Sequence, residues 1–246
     1  MQSIFKRYEK KYLITREQYS ALSEILPRYI TPDKFGEYLV QNLYYDTENW
    51  DVIRASIEKP LFKEKLRLRC YGLRHQESKL FLELKKQYKG VVYKRRIAVP
   101  INACSGKTVR DIVPGETSQI SRELDFYLKN NAVNEKIYIS FKRTAFAGIE
   151  DKGLRVTFDT DIRFRLDRLD FLYPDEGLFI LPRDKIIMEV KTLGGMPLWM
   201  ARTLCENEIY PVTFSKYGVC YTNHILNQPE TNPKRTKTER KVRISA

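Results

Sequence analysis

The sequence predicts an α+β domain in which antiparallel strands enclose a charged interior and helices pack outside. Two observations support this class. Short strand-like runs bounded by Gly, Pro, Asp or Asn outnumber the helical segments. Several of these runs alternate apolar residues with Arg, Lys or Glu, so each such strand has one apolar and one charged face.

The elements follow one another along the chain without an internal repeat. Strands are predicted at 4–14, 38–45, 64–72, 79–87, 91–99, 136–146, 154–165, 168–173, 178–181 and 185–192. Helices are predicted at 16–26, after Asp46–Thr47 as far as Ile57, at 118–130, from Pro197 onwards and at 216–227. A capping box, Thr15 with Gln18, marks the first helix. Lys89–Gly90 predicts a hairpin turn.

The chain has 246 residues and a formal net charge of +13. Residues 229–246 hold six basic and two acidic residues and almost nothing apolar, which predicts a disordered basic tail. The folded domain is therefore predicted at residues 1–228. Most of the positive excess remains in this domain, which indicates an anionic partner.

Composition excludes several classes of protein. No apolar run is long enough to span a membrane, and residues 1–11 lack the apolar stretch of a secretory signal. The 4 cysteines form no CxxC pair, which argues against structural zinc and for reduced thiols. We therefore expect a cytoplasmic protein.

Charged residues recur in phase along the predicted strands. Arg67 and Arg69 share one face, and Glu189 alternates with apolar neighbours in the same way. Such a face is commonly exposed to water on an ordinary antiparallel sheet. Like charges on neighbouring strands repel by roughly 3 kcal/mol at about 6 Å, however, so many of them together favour a barrel whose charged tunnel holds an anion.

The excess of cations over carboxylates indicates a row of phosphates. One guanidinium group can donate two parallel hydrogen bonds to phosphate oxygens, and each lysine adds a point charge. The few carboxylates suit a hard divalent cation shared with phosphate oxygens. Besides the residues assigned below, the candidate lining residues are Arg7, Arg96, Glu9, Glu83 and Asp159.

Six segments carry a resemblance to a known family: KLRLRCYG, LFLELKK, FKRTAF, LRVTFDTDI, IMEVKT and FSKYG. In this order they resemble the VTC-type polyphosphate polymerase domain of the triphosphate tunnel metalloenzymes. The resemblance covers roughly residues 4–226. It implies a closed, eight-stranded antiparallel tunnel barrel that transfers the γ-phosphate of ATP to inorganic polyphosphate.

The resemblance also implies the roles of individual residues. The phosphate-binding residues would be Lys11, Arg67, Arg69, Lys85, Lys94, Arg143, Arg155, Lys191, Ser215 and Lys216. Of these, Arg67, Arg69, Lys85, Arg143 and Lys216 would act in catalysis. Glu189 would bind the divalent metal, Mn²⁺ or Mg²⁺. Phe141 and Thr213 depart from the eukaryotic members, which tend to carry Tyr and Lys there.

Three other functions stay open. A triphosphatase of the same superfamily is the nearest, although residues 7–11 contain one carboxylate fewer than the ExExK signature of its hydrolytic members. The others are a noncatalytic polyphosphate sensor and a nucleic-acid-binding module, whose basic groups should be exposed. The expected partners are ATP and polyphosphate, with no specific nucleic acid. A separate membrane protein that holds the chain at the inner membrane face is an alternative, and no oligomeric state is assigned.

Overall fold

The computed structural model describes residues 8–58, 60–72, 79–89, 91–101, 108–113 and 118–226. Within them the strands are β1 (Tyr8–Ile14), β2 (Ile30–Asp46), β3 (Phe62–Tyr71), β4 (Lys79–Tyr88), β5 (Val91–Pro100), β6 (Asn134–Gly148), β7 (Arg155–Arg165), β8 (Leu178–Phe179) and β9 (Ile186–Thr192). The helices are α1 (Arg16–Ile25), α2 (Asp51–Ile57), α3 (Gln119–Asn130), α4 (Leu198–Glu206) and α5 (Lys216–Cys220). Arg7 and the predicted tail at 229–246 lie outside the described residues.

The described strands form one antiparallel sheet, which confirms the α+β class. The pairing order is β1-β9-β7-β6-β2-β3-β4-β5, and β8 pairs with β7. The longest ladder joins β2 to β6 at the centre. Among the described strands no ladder joins β1 to β5, so the sheet is curled but open, and the predicted closed barrel is not formed.

The open seam has a physical reason. The edge of β1 that does not pair with β9 is hydrogen-bonded in part to the segment that follows α4. Tyr12 forms a bridge with Pro211, and the Val212 amide donates to the Lys11 carbonyl at 2.7 Å. A β-strand edge that has a partner cannot pair with a second strand there, so β5 is kept away from this part of β1.

One predicted strand is wrong. Residues 168–173 form a loop between β7 and β8. The buried guanidinium of Arg165 donates to the backbone carbonyls of Arg168 at 3.0 Å, Asp170 at 2.8 Å and Pro174 at 3.1 Å. A backbone that satisfies its carbonyls on one side chain does not need a strand partner.

Local capping signals predict the helices well. The Thr15–Gln18 capping box is present at α1. Asp46 caps α2 as expected, but the helix begins only at Asp51 because Trp50 adopts φ 62°. The Asp46 carboxylate then accepts from the amides of Val52 and Ile53, both at 2.9 Å. Four residues, 47–50, therefore separate the capping side chain from the first residue of the helix.

The apolar outer face of the sheet is covered by helices. Leu66 and Leu68 of β3 pack in one core with Leu124 of α3, and α1 and α4 cover a second core that includes strand β9. The expectation that all helices pack outside is wrong for α2 and α5, however. Their buried residues share a third core with the inner-face residues of β2 and β6. Apolar helices therefore fill one end of the concave side and leave the other end to the charged groups.

Candidate phosphate-binding site

A cavity of about 160 Å³ opens on the charged side of the curled sheet. Strands at distant positions in the pairing order meet there, from β1 to β4. Among the described residues, eight basic side chains and two carboxylates line it: Lys11, Lys65, Lys85, Lys191, Lys216, Arg67, Arg69, Arg143, Glu9 and Glu189. Such a wall has the composition needed to bind a polyanion.

The β3 arginines are fixed by buried polar partners. Arg67 donates from Nε and Nη2 to one oxygen of Glu83 at 2.9 and 2.8 Å. Lys94 reaches the other oxygen of Glu83 at 2.5 Å. Arg69 donates from Nε to the Asn42 side-chain oxygen at 2.7 Å. Because these contacts restrict rotation, the guanidinium groups are ordered before any ligand binds.

A second cluster lies across the cavity. Arg143 binds both oxygens of Asp159, and Lys216 Nζ lies 2.5 Å from one of them. Lys216 is the first residue of α5, whose N-cap Ser215 accepts from the Gly218 amide at 3.2 Å. The start of α5 therefore positions both Ser215 and Lys216 at the cavity.

A third cluster joins β1 to β9. Lys191 lies 3.2 Å from one oxygen of Glu189 and 3.7 Å from one oxygen of Glu9. Lys11 lies 3.8 Å from Glu189 and 3.5 Å from Glu9, and it donates to the Phe214 carbonyl at 3.0 Å. The two carboxylates therefore alternate with two ammonium groups on neighbouring strands.

Neighbouring cations keep the carboxylates of Glu83 and Glu189 ionised. Burial alone would raise the pKa of Glu83, but Arg67, Arg69 and Lys94 lower that pKa to about 2. Burial likewise opposes ionisation of Glu189, yet Lys216 and other neighbouring cations hold its pKa well below the usual range. The pKa of the Lys85 ammonium is lowered by burial. The site is thus a desolvated array of fixed charges.

A larger cavity of about 450 Å³ adjoins the first one. Lys11, Lys65, Lys85 and Ser215 line both cavities. Apart from Lys63, its other described lining residues are apolar or uncharged, and most belong to α2, to α5 or to the segments on either side of α5. None of the described lining residues is acidic. We call the 160 Å³ space the inner cavity and the 450 Å³ space the outer cavity.

Most of the residues expected from the sequence meet at the inner cavity. Those that line it are Lys11, Arg67, Arg69, Lys85, Arg143, Glu189, Lys191, Ser215 and Lys216. Lys94 instead contacts Glu83 from β5. Arg155 is exposed and opposes Lys191 in the β7–β9 ladder, outside the inner wall. Lys65 was missed, although it alternates in phase with Arg67 and Arg69.

The carboxylates fit a divalent cation that is shared with a substrate. Glu9 and Glu189 face the same cavity, and Thr157, which opposes Glu189 in the β7–β9 ladder, has a buried hydroxyl with no hydrogen-bond partner among the described residues. No group of three or more His, Cys, Asp or Glu side chains suited to a metal occurs in the described part of the chain. Mg²⁺ is commonly held by one or two carboxylates plus phosphate oxygens, so Glu189 with Glu9 suffices.

Comparison with known proteins gives a family and a fold. The VTC domain family model matches residues 6–224, whereas no curated protein matches the sequence significantly. A Hippeastrum protein described as having a dominant triphosphatase activity has 19% sequence identity and a TM-score of 0.50, with 90% of this chain and 98% of that chain covered. A protein from Pyrococcus horikoshii OT3 has 14% sequence identity and a TM-score of 0.45, with 87% of this chain and 99% of that chain covered. A candidate adenylate cyclase from Vibrio parahaemolyticus has 12% sequence identity and a TM-score of 0.44, with 87% of this chain and 97% of that chain covered.

No helix in the described residues is long and apolar enough to cross a membrane.

Proposed function

Because this chain belongs to the VTC domain family, we propose that it is a metal-dependent polyphosphate polymerase. It would transfer the γ-phosphate of ATP to the end of an inorganic polyphosphate chain. The observation that carries the proposal is the inner cavity, where eight basic side chains surround two carboxylates. Phosphoryl transfer depends mainly on positioning and charge neutralisation, which this wall can supply.

Each cluster has a role in this reaction. Arg67 and Arg69 hold phosphate oxygens from β3, while Arg143 and Lys216 hold them from the opposite wall. These four groups neutralise the charge that spreads over the transferred phosphoryl group and align its attacking and leaving oxygens. The terminal phosphate of the acceptor chain is already ionised, so the reaction needs no dedicated base. A divalent cation on Glu189 would supply further charge neutralisation.

A triphosphatase is the second candidate function. It is favoured by the position of Glu9, which faces Glu189 across two lysines and raises the number of cavity carboxylates to two. Water would then attack the phosphoryl group in place of the polyphosphate end. The same residues would bind the triphosphate in both reactions.

We place the functional domain at residues 1–228 and a basic tail at 229–246. ATP and polyphosphate are its partners, the metal is Mn²⁺ or Mg²⁺, and the compartment is the cytoplasm. In an alternative arrangement, a separate membrane protein holds the same enzyme at the inner face of the membrane.

Incubation with ATP and Mn²⁺ or Mg²⁺, followed by separation of products by chain length, tests the function. Long phosphate chains together with ADP would support the polymerase. Orthophosphate as the only phosphate product would identify a triphosphatase. Binding of ATP without turnover would overturn both enzymatic assignments.

A further inference from the structure

Lys65 lies where the two cavities meet. Its Nζ donates to Ser215 Oγ at 3.3 Å and lies 5.9 Å from the centre of the Tyr217 ring. In the described part of the chain, no carboxylate oxygen lies within 4.0 Å of this nitrogen. Lys65 therefore differs from Arg67 and Lys216, which each bind a carboxylate.

The charges that act most strongly on Lys65 are all positive. They belong to Lys63 and Arg67 on the same strand, Lys85 on β4 and Lys11 on β1. From α2 the outer cavity receives only Ser56 and Ile57, which carry no charge, and from α5 the Tyr217 ring faces the ammonium. A half-buried ammonium among like charges is unfavourable unless an anion compensates it.

We propose that Lys65 is a further phosphate ligand, which binds the part of the substrate chain that extends from the inner cavity into the outer cavity. This inference rests on the proposed function, because it assumes a substrate with several phosphates in a row.

The strand geometry explains why a chain of phosphates is required. Lys65, Arg67 and Arg69 alternate in phase on β3, so neighbouring side chains stand roughly 6.6 Å apart along the strand. One orthophosphate bound at Arg69 cannot reach Lys65, whereas an extended polyphosphate can. None of the described residues that line the outer cavity is acidic, so we infer that its part of the substrate is bound without a metal.

Lys65 should also make binding depend on pH in the neutral range. Burial and the neighbouring lysines lower the pKa of its ammonium to about 7. A bound phosphate favours the protonated form, so above this pKa binding requires uptake of a proton. Affinity for a long phosphate chain should therefore fall as the pH rises from 7 to 9.

Calorimetric titration of the full chain, without metal and at fixed ionic strength, tests the inference. At pH 7, Lys65→Met should bind inorganic tripolyphosphate about tenfold more weakly than the wild type, with a smaller difference at pH 9. Lys65→Arg should retain affinity at both pH values, since arginine stays charged. Orthophosphate binding should be the same in all variants. Lys142→Met removes a charge that pairs with Asp161 on β7 and should change nothing.

Two results would overturn the inference, and they are distinguishable. If the wild type binds tripolyphosphate and Lys65→Met binds it equally well, Lys65 is not a ligand and the proposed function is unaffected. If the wild type does not bind tripolyphosphate at all, the proposed function fails together with the inference. Thermal melting of Lys65→Met and Lys65→Arg shows whether each variant is folded.

Discussion

Arg143 donates from Nε and Nη2 to the two oxygens of the fully buried Asp159, at 2.6 and 2.8 Å. Lys216 reaches the same carboxylate from the start of α5. Burial alone would raise the pKa of Asp159, but the two cations lower it, so the carboxylate stays charged. One buried anion thus holds together two cations that would otherwise repel each other on the same wall of the cavity.

Asp159→Asn should destabilise the ligand-free protein by about 3–5 kcal/mol, because it leaves two buried cations without their anion. Inorganic tripolyphosphate should restore part of this loss, since it supplies negative charge at the same place. Urea denaturation with and without tripolyphosphate measures both effects. The control is Asp161→Asn, whose partner Lys142 is half-exposed and whose loss should cost less than about 1 kcal/mol. Equal losses in the two variants would contradict the role assigned to Asp159.

Glu83 should make stability depend on acid pH. Its folded-state pKa of about 2 lies below the ordinary value of 4.5, so it contributes stability that is present above pH 4.5 and is lost as the pH falls towards 2. The difference corresponds to about 3 kcal/mol. Urea denaturation of the wild type and Glu83→Gln between pH 6 and pH 3 measures the slope.

The variant Glu83→Gln should be less stable at pH 6 and show a shallower loss towards pH 3. The exposed residue Glu24 provides the control, since Glu24→Gln should keep the wild-type profile. A Glu83→Gln profile parallel to that of the wild type would show that the Arg67–Glu83 contact does not contribute to stability in this way.

The sequence predicts side-chain direction better than it predicts closure of the sheet. Alternation within a strand is local, so the shared face of Arg67 and Arg69 follows directly from their spacing. Closure depends on contacts between distant segments. The Pro211–Val212 segment, which is hydrogen-bonded to the edge of β1, carries no local signal for this pairing. Alternation also predicts Lys65 as a residue of the charged face, because it lies in phase with Arg67 and Arg69 on β3.

The Arg165 side chain should control the loop between β7 and β8 without affecting the phosphate site. Arg165→Met would leave the carbonyls of Arg168, Asp170 and Pro174 without this donor, at a cost of about 3 kcal/mol. We expect faster limited proteolysis within residues 166–177 and a lower melting temperature. Tripolyphosphate affinity should stay at the wild-type value, and a large loss of affinity would show that the loop reaches the substrate.

Glu189→Gln should separate the metal from the phosphate ligands. Glutamine keeps the size of the side chain but removes the charge that a hard divalent cation requires. Metal-dependent turnover should therefore collapse, while metal-free tripolyphosphate affinity holds or rises because one repelling carboxylate is gone. Arg69→Ala should instead weaken metal-free binding about tenfold or more, since it loses a charged contact to phosphate. Calorimetry and product analysis of both variants, with and without Mn²⁺, make the comparison. Undiminished metal-dependent turnover in Glu189→Gln would show that another carboxylate holds the metal, and Glu9 would be the next residue to change.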